Sequence, residues 1–131
     1  MPTKKILKGP QFEIRAWVDD AGKCQVLEFL KKLEADGDSD WDRLNFLIDR
    51  LANSGITYNK KQMRELGNGI FEIKAPNTAR IIFFYDANRL IICSHGFTGK
   101  KGKGNKSITR QIERALSIRQ EYFRQKGERN G

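Results

Sequence analysis

A chain of 131 residues with a net charge of +9 is long enough to bury a core without covalent staples, and basic enough to seek an anionic partner: nucleic acid before an acidic protein, and either before a membrane. No apolar run approaches the ~20 residues of a membrane span, and the N-terminal stretch through Trp17 has neither the apolar core nor the cleavage site of a signal peptide. Two distant cysteines, Cys24 and Cys93, with a single histidine argue against a zinc site and for two reduced thiols in a cytoplasmic protein.

The length suggests one domain over 1–131. Phe12 to Val18 alternates, with Phe12, Ile14, Ala16 and Val18 on one side and Glu13, Arg15 and Trp17 on the other, as a half-buried strand does. Residues 24–35 read as a helix with Val26, Leu27, Leu30 and Leu33 on one face. The turn Asp36-Gly37-Asp38-Ser39-Asp40 ends in capping residues, and a second helix runs from Trp41 to about Asn53, closed by Gly55. The pair makes an αα-hairpin. Three strands follow. Ile70–Lys74 is stopped by Ala75-Pro76-Asn77. Arg80–Tyr85 is apolar on both faces and belongs in the middle of a sheet. Leu90–His95 pairs with it across Asp86-Ala87-Asn88. A glycine- and lysine-rich loop over 96–106 leads to a last helix, capped by Ser107, with Ile108, Ile112, Ala115 and Tyr122 as its apolar face. The expected fold is α+β in the order β-α-α-β-β-β-α: a twisted, mainly antiparallel sheet packed with the helical hairpin and the C-terminal helix.

Charge gathers at the end of the chain. Residues 100–131 hold ten Lys or Arg against three Glu, a net +7 of the total +9. Lys100, Lys101, Lys103 and Lys106 stand among Gly99, Gly102 and Gly104, where a bare backbone can approach an anion; Arg110, Arg114 and Arg119 continue the series along the helix as a backbone rail for ribosomal RNA. A solvated charge run is the plainer alternative for both groups. Trp17 and Tyr85 are the aromatic residues most able to stack bases; the other aromatics read as core.

Several motifs from Leu66 onward combine: the strand Gly69-Ile70-Phe71-Glu72-Ile73-Lys74, then Arg80-Ile81-Ile82-Phe83-Phe84-Tyr85, then His95-Gly96-Phe97, Lys100-Lys101, and a helix with Ile112, Ala115, Arg119 and Tyr122. In this combination the sequence resembles the RelE/ParE superfamily of toxins, and most closely its phage-related, HigB-like branch. The resemblance implies the toxin of a type II toxin–antitoxin pair, an endoribonuclease that needs no metal or cofactor and cuts messenger RNA on the ribosome. It also implies a helix-turn-helix antitoxin as partner. A ParE-like inhibitor of a DNA topoisomerase and a plain RNA-binding module are the alternatives.

Such cleavage needs a base for the ribose 2′-hydroxyl, cations for the charge building on phosphorus and an acid for the leaving oxygen. By resemblance Arg80 binds phosphate, Lys74 acts on the proton and the phosphate, and Lys101 with Lys100 meets the scissile phosphate. Arg80 and Lys74 should then share one hollow. Arg80, as a strand-end charge, should contribute little to stability. Glu72 stands where the resemblance expects a lysine; it is either a base or one half of a cross-strand ion pair on a solvated face. His95 has the ordinary pKa of an acid–base catalyst, and a hydrogen-bonded structural role is its alternative. The tyrosine that the resemblance expects near the start of the last helix has no match; Ser107 is nearest.

Overall fold

The computed structural model describes residues 2–56, 59, 61–87, 89–99 and 105–130, the last helix without the side chains of 105–107 and 128–130. The elements are β1 (Thr3–Lys8), β2 (Glu13–Trp17), α1 (Gln25–Ala35), α2 (Asp40–Ser54), β3 (Met63–Gly67), β4 (Ile70–Lys74), β5 (Ala79–Asp86), β6 (Leu90–Thr98) and α3 (Asn105–Asn130). Six strands form one sheet in the order β1-β2-β6-β5-β4-β3. Every neighbouring pair is antiparallel except β2 and β6. No helix among the described residues is long and apolar enough to cross a membrane.

The α+β class and the order of the central elements stand as expected, and β5, apolar on both faces, lies inside the sheet. The structure adds the two outer strands, β1 and β3. Each carries a β-bulge, between Lys5 and Leu7 and between Glu65 and Gly67. A bulge inserts a residue and breaks the period-two alternation by which a strand is recognised. β1 is also an edge whose Lys4, Lys5 and Lys8 stay in water, a feature that discourages pairing with another chain.

Two apolar layers flank the sheet. Ile14, Ala16, Ile73, Ile81, Phe83 and Ile91 face the hairpin residues Val26, Leu30, Leu44 and Leu51. On the opposite side Trp17, Ile70, Ile82, Phe84 and Ile92 meet Ala115, Ile118 and Tyr122 of α3. The β2 strand is therefore covered on both faces at Trp17 rather than half-buried: its indole Nε1 donates to Gln125 of α3 at 3.0 Å. Tyr85 packs with Phe12, Phe71 and Phe83. Neither Trp17 nor Tyr85 is an open stacking platform.

β6 runs on to Thr98, three residues past the expected end at His95. A bulge makes this possible: Ile82 pairs with His95 while Phe83 pairs with Cys93, leaving Ser94 as the extra residue. Gly96 is thus a strand glycine, not a loop glycine. A Cβ there would overlap the Phe29 ring, so its bareness lets α1 sit against β6. Cys24 and Cys93 are both free and buried, and burial pushes the Cys93 thiol up to about 12.

Candidate functional site

Alternation along β4 sends Phe71 and Ile73 to the hairpin side and Ile70, Glu72 and Lys74 to the α3 side. Along β5 it sends Arg80, Ile82 and Phe84 to the same α3 side. α3 covers only part of that face. Toward its uncovered end, register builds two rows across the sheet, the first of which runs in under α3 at Ile82 and His95. One row is Arg64, Glu72, Ile82 and His95; the next is Lys74, Arg80 and Phe97.

Lys74 and Arg80 are direct cross-strand partners, and both open into a hollow of about 460 Å³ at the end of the sheet. Arg43 of α2 and Lys61 before β3 join them, so four cations line it. No Asp or Glu stands among its described lining residues. One wall is the loop 75–78. Asp40, almost fully buried at the start of α2, holds that wall by its backbone: its carboxylate accepts from the N–H groups of Asn77 (3.1 Å), Thr78 (2.9 Å) and Ala79 (3.0 Å). Asp40 is therefore not the cap of its own helix, as the turn sequence suggested; it ties α2 to the loop preceding Arg80.

Glu72 is fully buried, and both of its oxygens are occupied. Oε2 accepts from Arg64 Nε at 2.5 Å and Oε1 from Arg80 Nη1 at 3.3 Å. The cross-strand ion pair is present, but its carboxylate is buried and only the arginines are part-exposed, so it is not a pair on a solvated face. This changes the standing of Arg80 as well. As a partner of a buried carboxylate it supports the fold, because removing one side of a buried pair strands the other charge. Its guanidinium also lies 5.9 Å from the centroid of the Phe97 ring.

The Lys74 amine is held below the usual lysine range, first by burial and then by the Arg64 and Arg80 charges, with Glu72 opposing them. Lys74 thus has an eased route to its neutral form.

His95 is wholly buried. Its Nε2 meets Gln111 Oε1 of α3 at 2.8 Å and its Nδ1 meets Ser94 Oγ at 2.9 Å. Burial, with the Arg114 charge, lowers its pKa to about 4 against the pull of the Gln111 bond, so it is neutral near pH 7. With both nitrogens engaged, the ring is a bracket between β6 and α3, and it stacks on Phe97.

Lys100, Lys101 and Lys103 lie outside the described residues, as does the side chain of Lys106. The last described residue before them is Gly99, whose N–H donates to the Thr78 carbonyl at 2.9 Å, beside Arg80. Arg110 and Arg114 are exposed on α3. Arg114 bonds Gln25 at the start of α1, whereas Arg119 reaches the Asn68 carbonyl at 2.8 Å in the β3–β4 turn, so the three arginines do not form one row.

Arg43, Lys61, Arg64 and Asp40 were not among the expected site residues. For Arg64 a signal existed. Asn68-Gly69, both at positive φ, is the strongest two-residue hairpin turn, and counting back from it across Gly67 and Ile70 would have located β3.

Among known proteins, the family described as "Phage derived protein Gp49-like (DUF891)" matches residues 25–120, from the first residue of α1 into α3. A search of curated proteins finds no match.

Proposed function

The chain belongs to the Gp49-like family, within the RelE-like toxin superfamily, and from that premise we propose that it is a HigB-like toxin, an endoribonuclease that cuts messenger RNA on the ribosome. One observation carries the reading: Lys74 and Arg80, adjacent across two strands, open into a single cation-lined hollow.

In the proposed reaction the neutral Lys74 amine takes the proton of a ribose 2′-hydroxyl. The 2′-oxygen attacks the adjoining phosphorus and the P–O5′ bond breaks. The products are a 2′,3′-cyclic phosphate and a 5′-hydroxyl, and the leaving oxygen collects a proton from a basic side chain, a duty that the resemblance leaves to Lys100 or Lys101. Arg80 meets the charge that gathers on the non-bridging oxygens, a task suited to a planar fork that never loses its proton. Glu72 orients Arg80 and takes no proton in this scheme, since both its oxygens already accept hydrogen bonds. His95 holds β6 to α3 and is outside the reaction. The family relationship also supports a helix-turn-helix antitoxin as the partner that masks this basic surface, and a cytoplasmic site of action.

The test uses the purified chain with ribosomes programmed by a defined message. The expected result is cleavage on the ribosome that leaves a cyclic phosphate, disappears when the 2′-hydroxyl at the cut is replaced by hydrogen, and falls at least about a hundredfold in Arg80→Gln, the loss typical of one electrostatic stabiliser. Intact message with altered DNA supercoiling would instead make the chain a ParE-like inhibitor. Binding of RNA with neither effect would make it a plain RNA-binding module.

A further inference from the structure

We propose that Arg64 is a second phosphate-binding residue of this site, forming with Arg80 a two-guanidinium fork whose spacing is set by the buried Glu72 carboxylate; the proposal rests on the reading of the hollow as an RNA site. Three observations meet here. Glu72 is fully buried, with one oxygen on each arginine. Arg64 gives only its Nε to that bond, and its terminal amino groups have no hydrogen bond within the described residues. Its side chain is 40% exposed, against 23% for Arg80, and it stands on the same face of the sheet as Lys74, one row in from the residues that line the hollow.

The arrangement explains how a carboxylate is tolerated where the resemblance expects a lysine. Alone, Glu72 would repel a phosphate. Here its charge is already met by two guanidinia, and the outward side of the cluster remains positive. The carboxylate's cost of burial is offset only while both arginines hold it, which in turn fixes them relative to each other. Two planar donors at a set separation suit the non-bridging oxygens of a phosphodiester. The lysine that is missing from β4 is thus replaced in function by an arginine on the neighbouring strand.

The test measures binding of a 2′-O-methyl single-stranded RNA, which cannot be cleaved, over a salt series. Arg64→Ala should lower the slope of log K against log salt by about 0.7, the signature of one lost phosphate contact on a single strand. It should also slow cleavage of an ordinary message by roughly tenfold to a hundredfold, the loss expected for a charge-assisted hydrogen bond. Arg64→Lys should keep the slope and recover part of the rate. If Arg64→Ala fails to fold, Arg64→Gln decides, since it can still donate to Glu72 without a charge: a lower slope supports the fork and an unchanged slope overturns it. A parent that binds and cuts, with a variant of unchanged slope, overturns the fork and leaves the nuclease reading intact. A lowered slope with no cleavage by the parent supports the fork and removes the nuclease. A parent that does not bind the RNA overturns the fork.

Discussion

The two faces of this sheet are made by the same strands and have opposite characters. On the hairpin side, Phe71, Ile73, Ile81 and Phe83 pack against α1 and α2. On the other side, α3 covers Ile70, Ile82, Phe84 and Ile92 and leaves one end open, where the alternate positions become Glu72, Lys74 and Arg80. The apolar face does not need to be open to anything, and it is filled with aromatic and branched side chains. The other face holds charges close together at the place where the covering helix no longer reaches. Apolar packing and clustered charge are thus separated by a single residue step along β4 and β5.

The sharpest way to test that separation is Phe83→Ala. Phe83 is fully buried, 5.5 Å from Phe71 between ring centroids. The change should cost about 3–5 kcal/mol, enough to unfold much of the population in a denaturant melt. Next in size is an acid effect at His95. Its folded pKa of about 4 lies below the ordinary 6.5, so the unfolded chain binds this proton more readily. The stability tied to the neutral ring is therefore complete above about pH 6.5 and is lost as pH falls toward 4, up to roughly 3 kcal/mol. Melts from neutral pH to about pH 4 should show the loss in the parent and a smaller one in His95→Gln. Asp40→Ala comes third. It strands three backbone donors and should cost about 2 kcal/mol. It should also slow cleavage with Arg80 chemically intact, because the freed loop 75–78 is a wall of the hollow. An unchanged rate in Asp40→Ala would mean that the two regions are independent after all.

Much of this division was legible in the residues, and the exceptions have physical causes. Arg80–Tyr85 has no polar face, which puts it inside a sheet, and the short turn after Lys74 folds Arg80 back beside it. The bounds of α1 and α2 follow within a residue from their unbroken period, whereas α3 begins at Asn105 and runs to Asn130, so Ser107 lies inside the helix and is not its cap. The edge strands were hidden by their bulges, and β6 seemed to end at His95 because its bulge falls just before. Arg43 and Asp40 could not be found by local spacing. They reach the site because the start of α2 meets a loop 37 residues further along the chain, a tertiary contact with no periodic trace. Glu72 reads as a surface pair in the sequence because Arg64, its partner, stands on a strand whose pattern is broken.

The smallest expected effect has the opposite sign. Lys74→Met should end cleavage and yet make the fold slightly more stable near neutral pH. Burial and the neighbouring arginines hold the folded amine below its ordinary 10.5, so the folded chain binds this proton less readily than the unfolded one. Between the folded value and 10.5 stability therefore rises with pH; below that window the penalty for keeping the ammonium is present in full. Methionine keeps most of the aliphatic stem and removes the penalty. The melting temperature of the variant should exceed that of the parent at neutral pH, and the two should converge as pH approaches 10.5, because only the parent gains there. Parallel curves would mean that the amine titrates as it does in water. The proposed role of Lys74 as the base would then fail, and the proposed site would lack a group fitted to move the proton.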